Sequence, residues 1–317
     1  MPVQQMTHYK VPGKVRVAAG SFNRGSTRFG HTGPVSRVTI SHDLYVKAHD
    51  ITNIERTHHF RDMAARGKVL ALMETTPEGR RQVVGDRTKG IDGLFFGKTA
   101  EELVARQREH PEYSSDRINA EPVRVIPDED ELNSVIAADR RLLGQPAAYF
   151  TYDELVAMVN AEITQLPDGR VLAGRLPTES ELEFIMGTHE NGTQLTEDQY
   201  PTASLALTQG GKRFADFGGR APVDAGAYES HRKGLFGLVG GVWKYTDTWW
   251  ADRHDLTQTI DPRGPKIGQW RVIRGGSSNL RKGFLLPFYR GDNCPRQRFC
   301  YVGGRDVGVV LPQDSNP

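Results

Sequence analysis

The sequence predicts an α+β fold. Amphipathic helical patterns fill the first two-thirds of its 317 residues, short β-branched runs follow, and 34 glycines and 18 prolines break the chain into many turns. Helices and strands segregated in this way do not build the alternating units of a parallel α/β sheet. With 25% charged residues, 37% apolar residues and a net charge of +2, the composition is that of a globular protein. The near-neutral balance lacks the basic excess that nucleic-acid binding requires, so no such partner is expected. No apolar run approaches the roughly 18 residues of a membrane span, and residues 1–14 lack the apolar centre of a secretory signal. The expectation is synthesis in the cytoplasm without membrane insertion, a route open also to a virion-associated protein.

Val15 to Val17 reads as a strand entering a glycine turn over residues 18–26, and Val35 to Ile40 as a second strand. Thr52 is placed to cap a helix through Ala65. Its His58 and His59 have no partner at metal-ligand spacing and read as helix surface. Residues 66–145 read as a peripheral insertion with helical pieces at 99–109 and 128–143, the latter acidic at its start and basic at its end. A helix from Tyr152 to Ile163 follows. Thr178 and Glu181 form a capping-box pattern for a helix through Met186. Strand-like pieces at Gly241–Tyr245 and Trp270–Arg274 close the regular part, with Trp243 and Trp270 expected to be buried.

From Ser277 to Val302 the composition changes. This stretch holds both cysteines of the chain, several Arg, Phe and Leu, and no Glu, Met or Trp, with neither helical nor alternating periodicity. Two cysteines, Cys294 and Cys300, do not make a disulfide framework. A scaffold holding a segment selected for something other than folding fits that contrast.

Six stretches in order carry a resemblance that covers most of the chain outside the insertion. Gly20-Ser-Phe-Asn-Arg-Gly25 resembles GxFxMG, and Asp50-Ile-Thr-Asn53 resembles EVTN. Arg175-Leu-Pro-Thr-Glu-Ser-Glu-Leu-Glu-Phe184 is similar to RLPTEAEWEY, and Gly234 to Tyr245 aligns without gaps to GLYDMxGNVWEW. Arg271-Val-Ile-Arg-Gly-Gly-Ser277 matches RVxRGGSW, and Gly303-Gly-Arg305 the closing GFR. All are signatures of the formylglycine-generating enzyme, or sulfatase-modifying factor, family. The resemblance implies a C-type lectin-like fold with irregular loops and short antiparallel strands, the whole of 1–317 forming one domain. It also implies two copper-binding catalytic cysteines after RGGS, but Leu280 and Leu285 occupy those positions here. The Asn and Glu of GNVWEW, which resemble a calcium site, are Gly241 and Lys244, and an ammonium does not coordinate a hard cation. No catalytic residue, metal site or cofactor is therefore expected.

A second group with this fold, the variable proteins of diversity-generating retroelements, is similar in the shape of its C-terminal segment. Here that segment is 275–305, framed by Gly275, Gly276, Arg290, Pro295, Arg298, Gly303 and Arg305. Adenine-directed rewriting of AAY codons yields no Lys, Glu, Gln, Met or Trp, and only Lys282 and Gln297 depart from that rule between Ser277 and Val302. The likeness implies a protein or cell-surface ligand bound by Asn279, Leu280, Arg281, Phe284, Asp292, Asn293, Arg296, Phe299 and Tyr301. Aromatic rings and arginines commonly dominate binding hot spots. The alternatives are an oxidoreductase of altered chemistry, or an inactive relative with a structural role. Leu285, Leu286 and Phe288 as core, and Arg290, Arg298 and Arg305 as loop braces, are the structural reading of the same stretch.

Overall fold

The computed structural model describes residues 13–56, 58–59, 144–148, 150–166, 168–195, 232, 234–278, 280, 284–297, 299 and 301–311, with the backbone of 74–76 and 79–81. The predicted helices at 99–109 and 128–143 lie outside the described residues. Within residues 66–145 two short strands pair, β5 (Glu74–Thr76) and β6 (Gly79–Arg81).

Strands β1 (Lys14–Val17), β4 (Leu44–Lys47), β7 (Ile163–Gln165), β8 (Val171–Arg175) and β13 (Val307–Val310) form one antiparallel sheet, ordered β1-β4-β13-β8-β7. Strands from the two ends of the chain thus meet inside it, with β13 between β4 and β8. Central placement explains why β4 is nearly all buried, Leu44, Tyr45 and Val46 in succession, and shows no alternation to read in sequence. A second sheet has the order β11-β10-β9-β12, from β9 (Trp243–Trp249), β10 (Arg271–Arg274), β11 (Arg290–Asn293) and β12 (Val302–Gly303). Only its β9–β12 pair is parallel. The expected glycine turn at 18–26 is in fact largely strand: β2 (Gly20–Arg24) pairs with β3 (Ser36–Ile40), burying Phe22 and Arg24 while Asn23 points out.

Two helices carry the capping boxes the sequence encodes. In α1 (Tyr152–Asn160) the Thr151 side chain accepts from the Glu154 N–H and Glu154 returns the bond; the helix ends three residues short of Ile163, which opens β7. Such caps contribute about 1 kcal/mol each. In α2 (Glu179–Gly187) Thr178 and Glu181 do the same. All nine residues of α2 are buried, so it is no surface helix. Leu182, Phe184, Ile185 and Met186 join Phe22, Val38, Ile40, Leu44, Val46 and Leu285 in one core cluster. A second cluster joins Phe150, Leu155 and Val159, in or beside α1, to Tyr245, Ile273 and Val302 of the second sheet.

The tryptophan expectation fails. Trp243 is half-buried and Trp270 is 42% exposed. Trp243 opens β9 and packs against the second core cluster from its margin, and Trp270 precedes β10, just after Gly268 packs against Trp249. Among the described residues no helix is long and apolar enough to cross a membrane.

Candidate functional site

Strand β10 ends in Gly275-Gly276, with φ of +87° and +68°, values that favour glycine. A Cβ on Gly276 would collide with Leu285 Cδ2 and lie 3.3 Å from Leu280 Cδ1, so the two leucines meet over this glycine. The chain then runs through buried Ser277 and Ser278, turns outward at Phe284, and dives into the core with Leu285, Leu286 and Phe288. It returns as β11 and reaches β12 through an irregular stretch.

Charge-assisted hydrogen bonds hold this course from below. The Arg274 guanidinium donates to Glu179 Oε1 (2.7 Å), Glu183 Oε2 (2.7 Å) and the Pro287 carbonyl (3.0 Å). Arg290 donates to both oxygens of Glu179 (2.5 and 3.0 Å) and to the carbonyls of His31 (3.1 Å) and Ala251 (3.0 Å). Burial disfavours the Glu179 anion, but the two guanidiniums outweigh it and hold its carboxyl far below the usual range. Arg305, fully buried, donates to Asp50 (2.8 Å) and to the Lys47, Ala48 and Phe236 carbonyls. Arg290 and Arg305 therefore act as the loop braces foreseen; the side chain of Arg298 lies outside the described residues.

Lys244 is fully buried, with Nζ 3.1 Å from Asp50 Oδ2 and donating to the Gly240 carbonyl at 2.8 Å. An ammonium thus fills the space between a carboxylate and a carbonyl that a hard cation would need, and the calcium site implied by the resemblance does not fit these residues. Copper fits no better, since isobutyl groups stand at 280 and 285. Among the described residues no group of three or more His, Cys, Asp or Glu side chains is placed to hold a metal ion.

Above the braces lies an aromatic face. Tyr289 is its centre, with ring centroids 5.3 Å from Phe29, His31 and Phe284 and 6.1 Å from Trp243. Phe29 also stacks on Phe284 at 6.3 Å, and Arg28 rims it, its guanidinium carbon 5.7 Å from the Phe29 centroid. Phe284 is 38% exposed, and the other four rings are half-buried. Burial, then the charges of Arg290 and Arg274, lowers the His31 pKa, so this ring is neutral at neutral pH. Such a face offers rigid apolar area with few polar obligations.

The predicted site residues divide over this geometry. Phe284 belongs to the aromatic face; Asp292 and Arg296 are exposed. Leu280 and Phe299 are half-buried, each packed against a core cluster, and Tyr301 is half-buried. Asn293 is a correction: it is 5% exposed, with Nδ2 donating to the Tyr245 hydroxyl, because the pleat of β11 turns it inward and its neighbour Asp292 outward. Asn279 and Arg281 lie outside the described residues. Sequence reading missed Tyr289, and Phe29, His31 and Trp243 as its neighbours. The aromatic pair at 29 and 31 inside a glycine-flanked loop was a weak signal that nothing in periodicity could amplify. Cys294 is a free, half-buried thiol.

Fold and site together define a C-type lectin-like scaffold that carries a loop-built face on a buried arginine–glutamate network. The chain belongs to the sulfatase-modifying factor family: the model of the Sulfatase-modifying factor enzyme 1-like domain matches residues 2–308. The Formylglycine-generating enzyme of Bos taurus is 32% identical over 152 residues, covering 44% of this chain and 40% of that protein. The chain spans less than half the length of the curated relatives it matches. Among solved structures, PvdO from Pseudomonas aeruginosa superposes with a TM-score of 0.58 at 16% identity, covering 93% of both chains. Treponema denticola variable protein 1 does so with a TM-score of 0.50 at 19% identity, covering 93% of this chain and 94% of that one. At these identities the two structures establish the fold alone.

Proposed function

We propose that this chain is a ligand- or receptor-binding protein that displays its 275–305 segment on the lectin-like scaffold, in the manner of retroelement variable proteins. One observation carries the reading: Leu280 and Leu285 meet over Gly276 where the family resemblance puts oxidase cysteines, while the same segment turns Phe284 and Tyr289 into an exposed aromatic face. An alkyl side chain neither ligates copper nor accepts an electron. Large rigid rings, in contrast, supply contact area at low entropic cost. The solved structure named as a variable protein supports the same reading at the level of fold. The partner is a protein or a cell-surface ligand.

The test is the locus that encodes the chain. A reverse transcriptase gene and a near-copy of the 277–302 coding sequence, differing only at adenines, are expected beside it. Isolates should then vary at Phe284, Tyr289, Asp292, Arg296 and Tyr301 and hold Arg290, Gly303 and Arg305 constant. An invariant locus without that repeat overturns the diversification reading. The family relationship favours one second reading, an oxidoreductase of altered chemistry. Formylglycine formation on a cysteine peptide by copper-loaded protein would establish it; none is expected.

A further inference from the structure

The scaffold also opens a small cleft, lined by Arg24, Thr248, Arg253, His254, Gln258 and Arg290 among others. Its charges do not balance. Glu179 is committed to Arg274 and Arg290, and Glu183 to Arg274 and the Gly25 N–H. Arg24, only 3% exposed, meets no carboxylate: it donates to Ser180 Oγ (3.3 Å), Ser36 Oγ (3.2 Å) and the Asp255 carbonyl (3.1 Å), and its Nε has no partner. Arg253 stands exposed in the wall with no ion pair among the described residues. The one remaining carboxylate, on Asp255, is turned onto Thr257 and Gln258 of its own turn. With Arg274 and Glu183 directly behind the wall, four guanidiniums face three carboxylates.

A second buried group is also unsatisfied. His254 is 9% exposed; its Nε2 has no partner, and its Nδ1 is 3.9 Å from Glu179 Oε2, beyond hydrogen-bond reach. Burial, against the pull of Glu179 and aided by Arg290, Arg274 and Arg24, holds its pKa down at about 3. The imidazole is thus neutral and does not add to the excess. A buried cation short of a counter-charge is costly, and low-dielectric walls of one sign concentrate ions of the other. Guanidinium forks match the geometry of planar and tetrahedral oxyanions in particular.

We propose that this cleft binds a small oxyanion, the carboxylate or phosphoryl group of a ligand, between Arg253 in the wall and the buried Arg24 and Arg290. The site stands on its own geometry and does not depend on the aromatic-face reading.

The test titrates the full chain with sodium phosphate and, separately, sodium acetate, against sodium chloride at matched ionic strength, by calorimetry and by thermal unfolding. The expectation is saturable binding of one oxyanion with a rise in Tm that chloride does not reproduce. The tighter anion assigns the group: phosphate a phosphoryl ligand, acetate a carboxylate. Arg253→Glu, at an exposed position with no ion pair among the described residues, should fold normally and weaken binding at least about tenfold. Phe284→Ala, outside the cleft lining, should leave it unchanged. Heat and Tm that merely track ionic strength, or binding indifferent to Arg253→Glu, overturn the proposal.

Discussion

Arg290 and Phe284 lie six positions apart in the same aperiodic segment, and they answer to different constraints. Arg290 is 2% exposed and donates to Glu179 of α2, to His31 of the β2–β3 loop and to Ala251 after β9, tying three distant stretches together. Phe284 is 38% exposed, with its ring beside those of Phe29 and Tyr289. Arg305, Asn293 and Gln297 belong with Arg290; Asp292 and Arg296 belong with Phe284. A fold can vary its display residues only if its course is fixed without them. Here charge-assisted bonds from buried arginines to long-range partners do the fixing, which separates what holds the loops from what they present.

The largest effect expected from that separation follows removal of one carboxylate. Glu179→Gln preserves volume but leaves Arg290 buried with its charge unmatched and Arg274 with Glu183 alone, and an uncompensated buried charge typically costs about 3–5 kcal/mol. Urea unfolding should show the midpoint falling accordingly. A cost near zero would mean the braces are not what fixes the segment, and the contrast would collapse.

A smaller effect is set by pH. The His254 pKa falls from 6.5 to about 3 on folding, so below pH 6.5 the unfolded chain takes up a proton that the folded chain refuses. Stability should therefore decline from pH 6.5 toward 3, by roughly 2 kcal/mol at pH 5. Glu181 acts in the same direction lower down. Burial alone would raise its pKa, yet hydrogen bonds from His42 and Arg175 hold it at about 2, so its contribution is lost as pH falls from 4.5 through 2. The pH-dependence between 6.5 and 5 should flatten in His254→Gln, and a slope that persists there would move its origin elsewhere in the network.

How much of this could be read in the chain depends on whether a feature is local. The capping box at Thr178 is spelled out within four residues, and the family signatures brought the fold with them. Strands β4 and β13 were not legible, because central strands lose the alternation that marks an edge. Nor was β2, whose glycine-bounded stretch becomes strand only because β3 supplies its ladder. At the site, Phe284 was readable as an aromatic in an aperiodic run. Tyr289 was not, since its role comes from Phe29, His31 and Trp243, brought in from two other parts of the chain.

Asn293 tests where the boundary between the two kinds of residue runs. Sequence composition placed it among the displayed residues, yet its side chain is bonded to the buried Tyr245 hydroxyl, which in turn donates to the Cys294 carbonyl at 3.1 Å. Asn293→Ala should cost about 1–3 kcal/mol, the penalty for stranding a buried polar group. Asp292→Ala, one residue away and outward-facing, should stay within about 0.5 kcal/mol. Equal costs at the two positions would erase the inward–outward pleat on which the assignment of β11 rests.

Phe284→Ser separates stability from binding with a small change in the former. The ring is exposed at its edge and rests on Phe29 and Tyr289 rather than in either core cluster, so truncation should lower stability by no more than about 1 kcal/mol. Its effect on partner binding should be of another order. Removing a central aromatic anchor from a recognition face commonly costs about 2 kcal/mol or more, roughly thirtyfold in affinity. Measured side by side, unfolding midpoint and partner affinity should therefore move independently at position 284 and together at Glu179. A Phe284→Ser protein that unfolds early while its folded fraction binds as well as the parent would place this ring among the braces and remove the aromatic face from the site.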